Sequence, residues 1–138
     1  MIVTRIERDL PRAVAFLNAR GIHVPIIDML PNIGWTVIDP NGVQRGGVVL
    51  FPSIDGEDFE MIADGGWTVP SARLIFDAVF NQLDQYRLTA RCLSSNIKNI
   101  RVLQRMGFKI EGQKRCCDGN FVLFGMMREE CRLLKRMK

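Results

Sequence analysis

The chain has 138 residues, 47% hydrophobic and 25% charged, with a formal net charge of +4. Those are the proportions of an ordinary globular chain, which excludes a disordered, collagen-like or low-complexity polymer. One domain over residues 1–138 is expected, able to bury about two thirds of its unfolded surface, and no apolar run approaches the roughly 20 residues of a membrane-spanning helix.

Residues 2–8 alternate Ile2, Thr4 and Ile6 against Val3, Arg5 and Glu7, a weak strand pattern. This charged start lacks the apolar core of a signal peptide, so a cytoplasmic location is expected. Asp9 can cap a helix with Pro11 in its first turn, Val14 and Leu17 on one face and Gly21 past its end. From Gly34 the period changes to two. Trp35–Asp39 and Val43–Phe51 flank Asn41-Gly42, a strong hairpin signal, and Asp58–Asp64 reads as the next strand.

A loop with Gly65, Gly66 and Pro70 leads to an amphipathic helix over Ser71–Gln85, whose expected apolar stripe is Leu74, Ala78 and Leu83 with Ile75 and Val79. Tyr86, the only tyrosine, is expected to pack at its end. Arg87–Leu93 alternates again, with Leu88, Ala90 and Cys92 inward. A second helix, Asn96–Met106, is expected to bury Ile97, Ile100, Leu103 and Val102 and to stop at Gly107. Phe108–Glu129 reads as two strands turning at Asp118-Gly119, before a basic tail, Cys131–Lys138. Strands and helices in this order make a mixed α/β domain.

Four cysteines without a CxxC pair, and a single histidine, His23, argue against a metal site. Cys92, Cys116, Cys117 and Cys131 read as reduced thiols. The charge is unevenly divided: residues 1–86 hold six Lys/Arg against eleven Asp/Glu (−5), and residues 87–138 hold thirteen against four (+9). A cationic half suits an anionic partner, such as a phosphorylated cofactor, nucleic acid or membrane headgroups, and it equally suits a plain solvated surface. The tail Arg132–Lys138 has little aromatic interleaving for stacking bases, so neither nucleic acid nor membrane is the expected partner.

The run Asn96-Ile97-Lys98-Asn99-Ile100-Arg101-Val102-Leu103-Gln104-Arg105-Met106-Gly107-Phe108, continuing Lys109-Ile110-Glu111-Gly112, resembles the C-terminal signature of GCN5-related N-acetyltransferases (GNAT). Its flavour is that of the branch acetylating the N-termini of ribosomal proteins. The element order is similar to that family over nearly the whole chain. The resemblance implies a twisted, mostly antiparallel sheet with helices on both faces. It also implies transfer of an acetyl group from acetyl-coenzyme A (acetyl-CoA) to a primary amine, on a small molecule or a protein N-terminus. In the family the fourth and fifth strands splay, the pantetheine arm lies in the gap like an added strand, and backbone N–H groups of the fourth strand polarise the thioester carbonyl. Carried onto this chain, that implies Ile62 and Ala63 as backbone contacts, Gly65 and Gly66 at the diphosphate, and Asn96 and Asn99 at the cofactor-facing helix start. On the fourth strand Glu60 is the candidate general base, given a raised pKa or a bridging water, and it reads equally as an ordinary exposed strand carboxylate beside Glu57 and Asp58.

The chain departs from the family pattern in two places. Between Ala63 and Arg73 the usual Arg and regular glycine spacing are missing, Pro70 removes a donor, Trp67 is bulky and Asp64 brings a charge that repels phosphate. Leu103 stands where many members place an acid Tyr. These departures leave a second possibility open: a catalytically silent binding or structural protein of the same fold, for example a phage protein. His23 could line the acceptor cleft or be a plain surface or helix-end histidine, and an exposed last strand with the Leu-containing tail could support a homodimer.

Overall fold

The computed structural model describes residues 5–24, 32–52, 58–65, 68–116 and 119–135. Seven strands form one sheet: β1 (Arg5–Arg8), β2 (Ile33–Ile38), β3 (Gln44–Pro52), β4 (Phe59–Asp64), β5 (Arg87–Leu93), β6 (Lys109–Cys116) and β7 (Gly119–Met127). The order is β1-β2-β3-β4-β5-β7-β6, and every pair is antiparallel except β4 with β5. That parallel pair needs a crossover, which α2 (Val69–Asp77) supplies. Helices α1 (Leu10–Ala19), α3 (Ile97–Met106) and α4 (Arg132–Lys135) complete the expected mixed α/β architecture.

The sheet is covered on both faces, and β3 shows why its sequence reads as an unbroken apolar run. Val48 and Leu50 join one core with Phe76, Phe80, Leu103, Phe124 and Met126, whereas Val49 and Phe51 join a second with Ala13, Leu17 and Ile62. Alternate residues thus serve opposite faces, as a two-residue period requires. Phe76, Phe80 and Phe124 are fully buried, each burial worth about 1.5–3 kcal/mol.

Asp9 caps α1, its carboxylate accepting the Arg12 N–H at 3.1 Å. The β2–β3 turn is organised by Asp39, which accepts from the Asn41 and Val43 amides at 2.9 and 3.0 Å and pairs with Arg45 at 2.8 Å. The backbone bond from Val43 chiefly holds the Asp39 carboxyl below its ordinary value, with Arg45 and Asn41 adding to the fall against the opposing effect of burial.

Several expectations need correction. The helix after the β4 loop is α-helical only to Asp77 and continues as a π-helical turn, Ala78–Gln82, in which the Leu83 N–H reaches the Ala78 carbonyl. Its buried side is Ala72, Ile75, Phe76, Ala78, Val79 and Phe80, so Ile75, Ala78 and Val79 of the expected stripe are buried, while Leu74 is exposed and Leu83 half-buried. In α3 the core residues are Leu103 and Met106, with Ile100 and Val102 partly buried, and Ile97 is exposed. Tyr86 is exposed and lies under the Arg128 guanidinium. The tail leucines dock on the chain itself: Leu133 is buried and Leu134 packs on the same core. The last strand, β7, is an inner strand, and the sheet edges are β1 and β6.

Gly107 ends α3 at φ +119°, as the stop signal predicts, and a Cβ there would sit 2.4 Å from the Glu130 carbonyl oxygen. The Cys92 and Cys131 side chains are buried. Residues 2–4, Gly66, Trp67, Cys117, Asp118 and the tail beyond Lys135 lie outside the described residues. Among the described residues no cluster of His, Cys, Asp and Glu is grouped for a metal, and no helix is long and apolar enough to cross a membrane.

Candidate active site

β4 and β5 pair at Phe59↔Leu88, Glu60↔Thr89 and Met61↔Ala90, and their pairing ends there. On the outer sides β3 stays paired with β4 as far as Asp64, and β7 stays paired with β5 as far as Leu93. The two strands are therefore held rigidly from outside while their inner edges part. A cleft of about 220 Å³ opens between Ile62, Ala63 and Asp64 on one strand and Arg91, Cys92 and Leu93 on the other. This is below the roughly 300–1,000 Å³ that encloses a whole drug-sized ligand, so the cleft suits an extended arm. The parting edges carry backbone groups of the kind that an added extended chain pairs with.

The start of α3 reaches this cleft, with Asn96 and Asn99 among its lining residues. The Asn96 Oδ1 accepts the Asn99 N–H at 3.2 Å, the helix-capping bond that satisfies one free donor of the first turn. The cap uses only the carbonyl oxygen, so the NH2 group is the part of Asn96 left to serve a ligand. Burial pushes the Cys92 thiol above its ordinary value, opposed by the hydrogen bond to the Asn99 side chain. Gly21, Ile22 and His23, just beyond α1, line the cleft too, so the histidine at the helix end is also a cleft residue.

Glu60 does not line the cleft. It points to the same sheet face as Ile62 and pairs with Arg91, which does line it, at 3.1 Å. Burial pushes the Glu60 carboxyl above its ordinary value and Asp58 adds to the rise, while Arg91 and Lys114 oppose it.

At the end of β4 the expected repulsive charge is compensated. Asp64 accepts from Arg20, the residue ending α1, at 3.0 Å. Gly65 follows at φ +71°, where a Cβ would lie 2.6 Å from the Arg45 carbonyl oxygen, so the backbone is bare by necessity. The first turn of α2 satisfies itself. The Thr68 hydroxyl accepts the Ser71 N–H at 3.2 Å, the Ser71 hydroxyl accepts the Thr68 N–H at 2.9 Å, and Pro70 has no N–H. Two of the donors that such a helix start would offer an anion are thus removed.

The cleft brings together Ile62, Ala63, Asn96 and Asn99; Gly65 lies next to it, Glu60 is coupled to it through Arg91, and Gly66 is outside the described residues. Arg91, Cys92 and Phe121 line the cleft without having been expected there, and Arg20 reaches its edge through Asp64. For Arg91 a signal existed, since an outward position on β5 beside an outward carboxylate on β4 implies a cross-strand pair. Arg20 had none, because its partner is 44 residues away.

No family model and no curated protein matches the chain. Solved structures do. A mutant form of the spermidine N-acetyltransferase SpeG from Vibrio cholerae superposes with a TM-score of 0.73 at 13% identity, over 98% of both chains. A further mutant structure of the same enzyme gives 0.73 at 14%, over 99% of this chain and 100% of the other. An acetyltransferase of the GNAT family from Bacillus anthracis gives 0.60 at 18%, over 70% and 67%. At these identities the likeness is one of architecture, and the chain has the fold of the GNAT acetyltransferases.

Proposed function

We propose that this protein transfers an acetyl group from acetyl-CoA to a primary amine. The observation that carries this reading is the parting of β4 from β5 after Met61 and Ala90, at the place where α3 begins. Acetyl-CoA supplies the acyl group as a thioester. The backbone of Ile62 and Ala63 would pair with the pantetheine arm and polarise the thioester carbonyl. The Asn96 NH2 and the Asn99 side chain would hold the arm from α3, with Gly65 and Gly66 at the diphosphate. Glu60, with its pKa raised by burial, would accept the amine's proton through a bridging water, a transfer assisted by a base with a pKa nearer neutrality.

Two acceptor classes have support: polyamines, from the SpeG likeness, and protein N-termini, from the Asn96–Gly112 string. Calorimetry of the full chain with acetyl-CoA tests the cofactor. Release of free thiol with spermidine, or with a peptide bearing a free N-terminus, tests the transfer. The expected result is micromolar binding and acetylation of one acceptor class. No heat and no thermal shift at millimolar acetyl-CoA would overturn the proposal and favour a silent protein of this fold.

A further inference from the structure

With the cleft read as an acetyl-CoA site, the described residues between β4 and α2 leave the diphosphate short of partners. The α2 start has spent the Ser71 amide on Thr68, and Pro70 has none to give. The family-type arginine is missing from the loop after β4, and the residue that ends the strand, Asp64, is an anion.

The structure supplies a cation there from a different element. Arg20 leaves the end of α1 with its guanidinium 4.4 Å from the Phe16 ring centroid and meets Asp64 through Nη1 alone, at 3.0 Å. Its Nη1 would be 3.4 Å from a Cβ at Gly65, so it rests against the bare start of the phosphate-side loop. Its side chain remains 47% exposed, and the residues on either side of it in space, Gly21 and Asp64, line the cleft. A guanidinium has more donors than one carboxylate oxygen can take, and its planar fork suits phosphate oxygens.

We infer that Arg20 is the residue that receives the coenzyme's diphosphate, presented from α1 in place of the missing loop arginine, with Phe16 and Asp64 fixing its direction. This rests on the acetyl-CoA reading. Asp64 thereby changes meaning: it is the anchor that aims the cation, and its charge is already neutralised when phosphate arrives.

The test is calorimetry of the full chain with acetyl-CoA on wild type, Arg20→Ala, Arg20→Lys, Asp64→Asn and the Arg20→Ala/Asp64→Asn double variant, with each melting temperature recorded. Arg20→Ala should weaken binding about tenfold, the loss expected for charge-assisted hydrogen bonds. Arg20→Lys, which keeps the charge without the fork, should fall between the two and also serves if the alanine variant does not fold. The double variant should bind about tenfold more weakly than Asp64→Asn alone. If Asp64→Asn restores the alanine variant to wild-type affinity, Arg20 only cancels Asp64 and the inference is overturned. Unchanged affinity in both Arg20 variants overturns it as well, with the acetyl-CoA reading intact. Absence of wild-type binding at millimolar ligand removes that reading, and this inference with it.

Discussion

Asn96 has two jobs that one pair of substitutions can separate. Its Oδ1 caps α3 through the Asn99 N–H at 3.2 Å, and the same residue lines the cleft. Losing an N-cap costs about 1 kcal/mol. For 138 residues, at about 2.1 cal/mol/K of unfolding entropy each, that amounts to about 3 °C in Tm. Asn96→Ala should therefore melt about 3 °C lower and also bind acetyl-CoA more weakly. Asn96→Asp keeps an oxygen for the Asn99 amide and adds a charge favoured at a helix N-terminus by about 0.3–1 kcal/mol, so its Tm should match or exceed wild type. It nevertheless exchanges the NH2 donor for an anion. One lost hydrogen bond of about 1 kcal/mol weakens binding about fivefold, and repulsion of phosphates adds to that. Differential scanning calorimetry and isothermal titration read the two effects separately. Equal destabilisation by Ala and Asp would refute the cap, and wild-type affinity in Asn96→Asp would refute the role of the NH2 group.

Gly107→Ala combines a positive φ with a Cβ 2.4 Å from a backbone oxygen that cannot swing aside, so a loss of more than about 2 kcal/mol is expected by denaturant titration. Glu60→Gln should lower kcat about a hundredfold and remove an acid limb of the kcat/KM profile, since the carboxylate is active only above its raised pKa. In stability the sign is opposite: a raised native pKa contributes below the ordinary value of 4.5, and the contribution is lost as pH rises through the native value. Glu60→Gln should flatten that fall in thermal melts taken across the acid range. Asp39 titrates the other way: its lowered native pKa contributes above the ordinary 3.8, and that is lost as pH falls through the native value. Asp39→Asn should therefore lose stability at neutral pH and show a shallower acid transition.

Much of the fold was legible because strands and helices leave different periods. Alternation in Arg87–Leu93 put Leu88, Ala90 and Cys92 inward, and all three are buried. The Asn96 cap and Gly107 stop bounded α3 correctly. In the helix after β4 the expected stripe joined residues of two faces, the exposed Leu74 with the buried Ile75, Ala78 and Val79, and left out Phe76 and Phe80. Periodicity cannot choose between them. Packing does, because Phe76 meets Phe108 edge-on and Phe108 meets Phe124, an aromatic stack that Leu74 cannot replace. The π turn at Ala78–Gln82 then changes the angle per residue, which carries Leu83 off the buried side.

The site was legible to the degree that its parts are local. Ile62, Ala63, Asn96 and Asn99 meet at the cleft because each belongs to a strand end or helix start that short-range patterns define. Charge misled, because its effect depends on distant partners. Counted along the chain, Asp64 is an anion where phosphate should bind; in the fold Arg20 spans 44 residues to meet it. A helix start after two glycines promises free amides, yet the Thr68 and Ser71 hydroxyls consume the two N–H groups between them. A capping box and an anion site compete for the same atoms, so a helix start that carries the first is weakened as the second. On the proposed reading the phosphates' charge is therefore met by a side chain, and Arg20, held beside the cleft by Asp64, carries what the first turn of α2 does not offer.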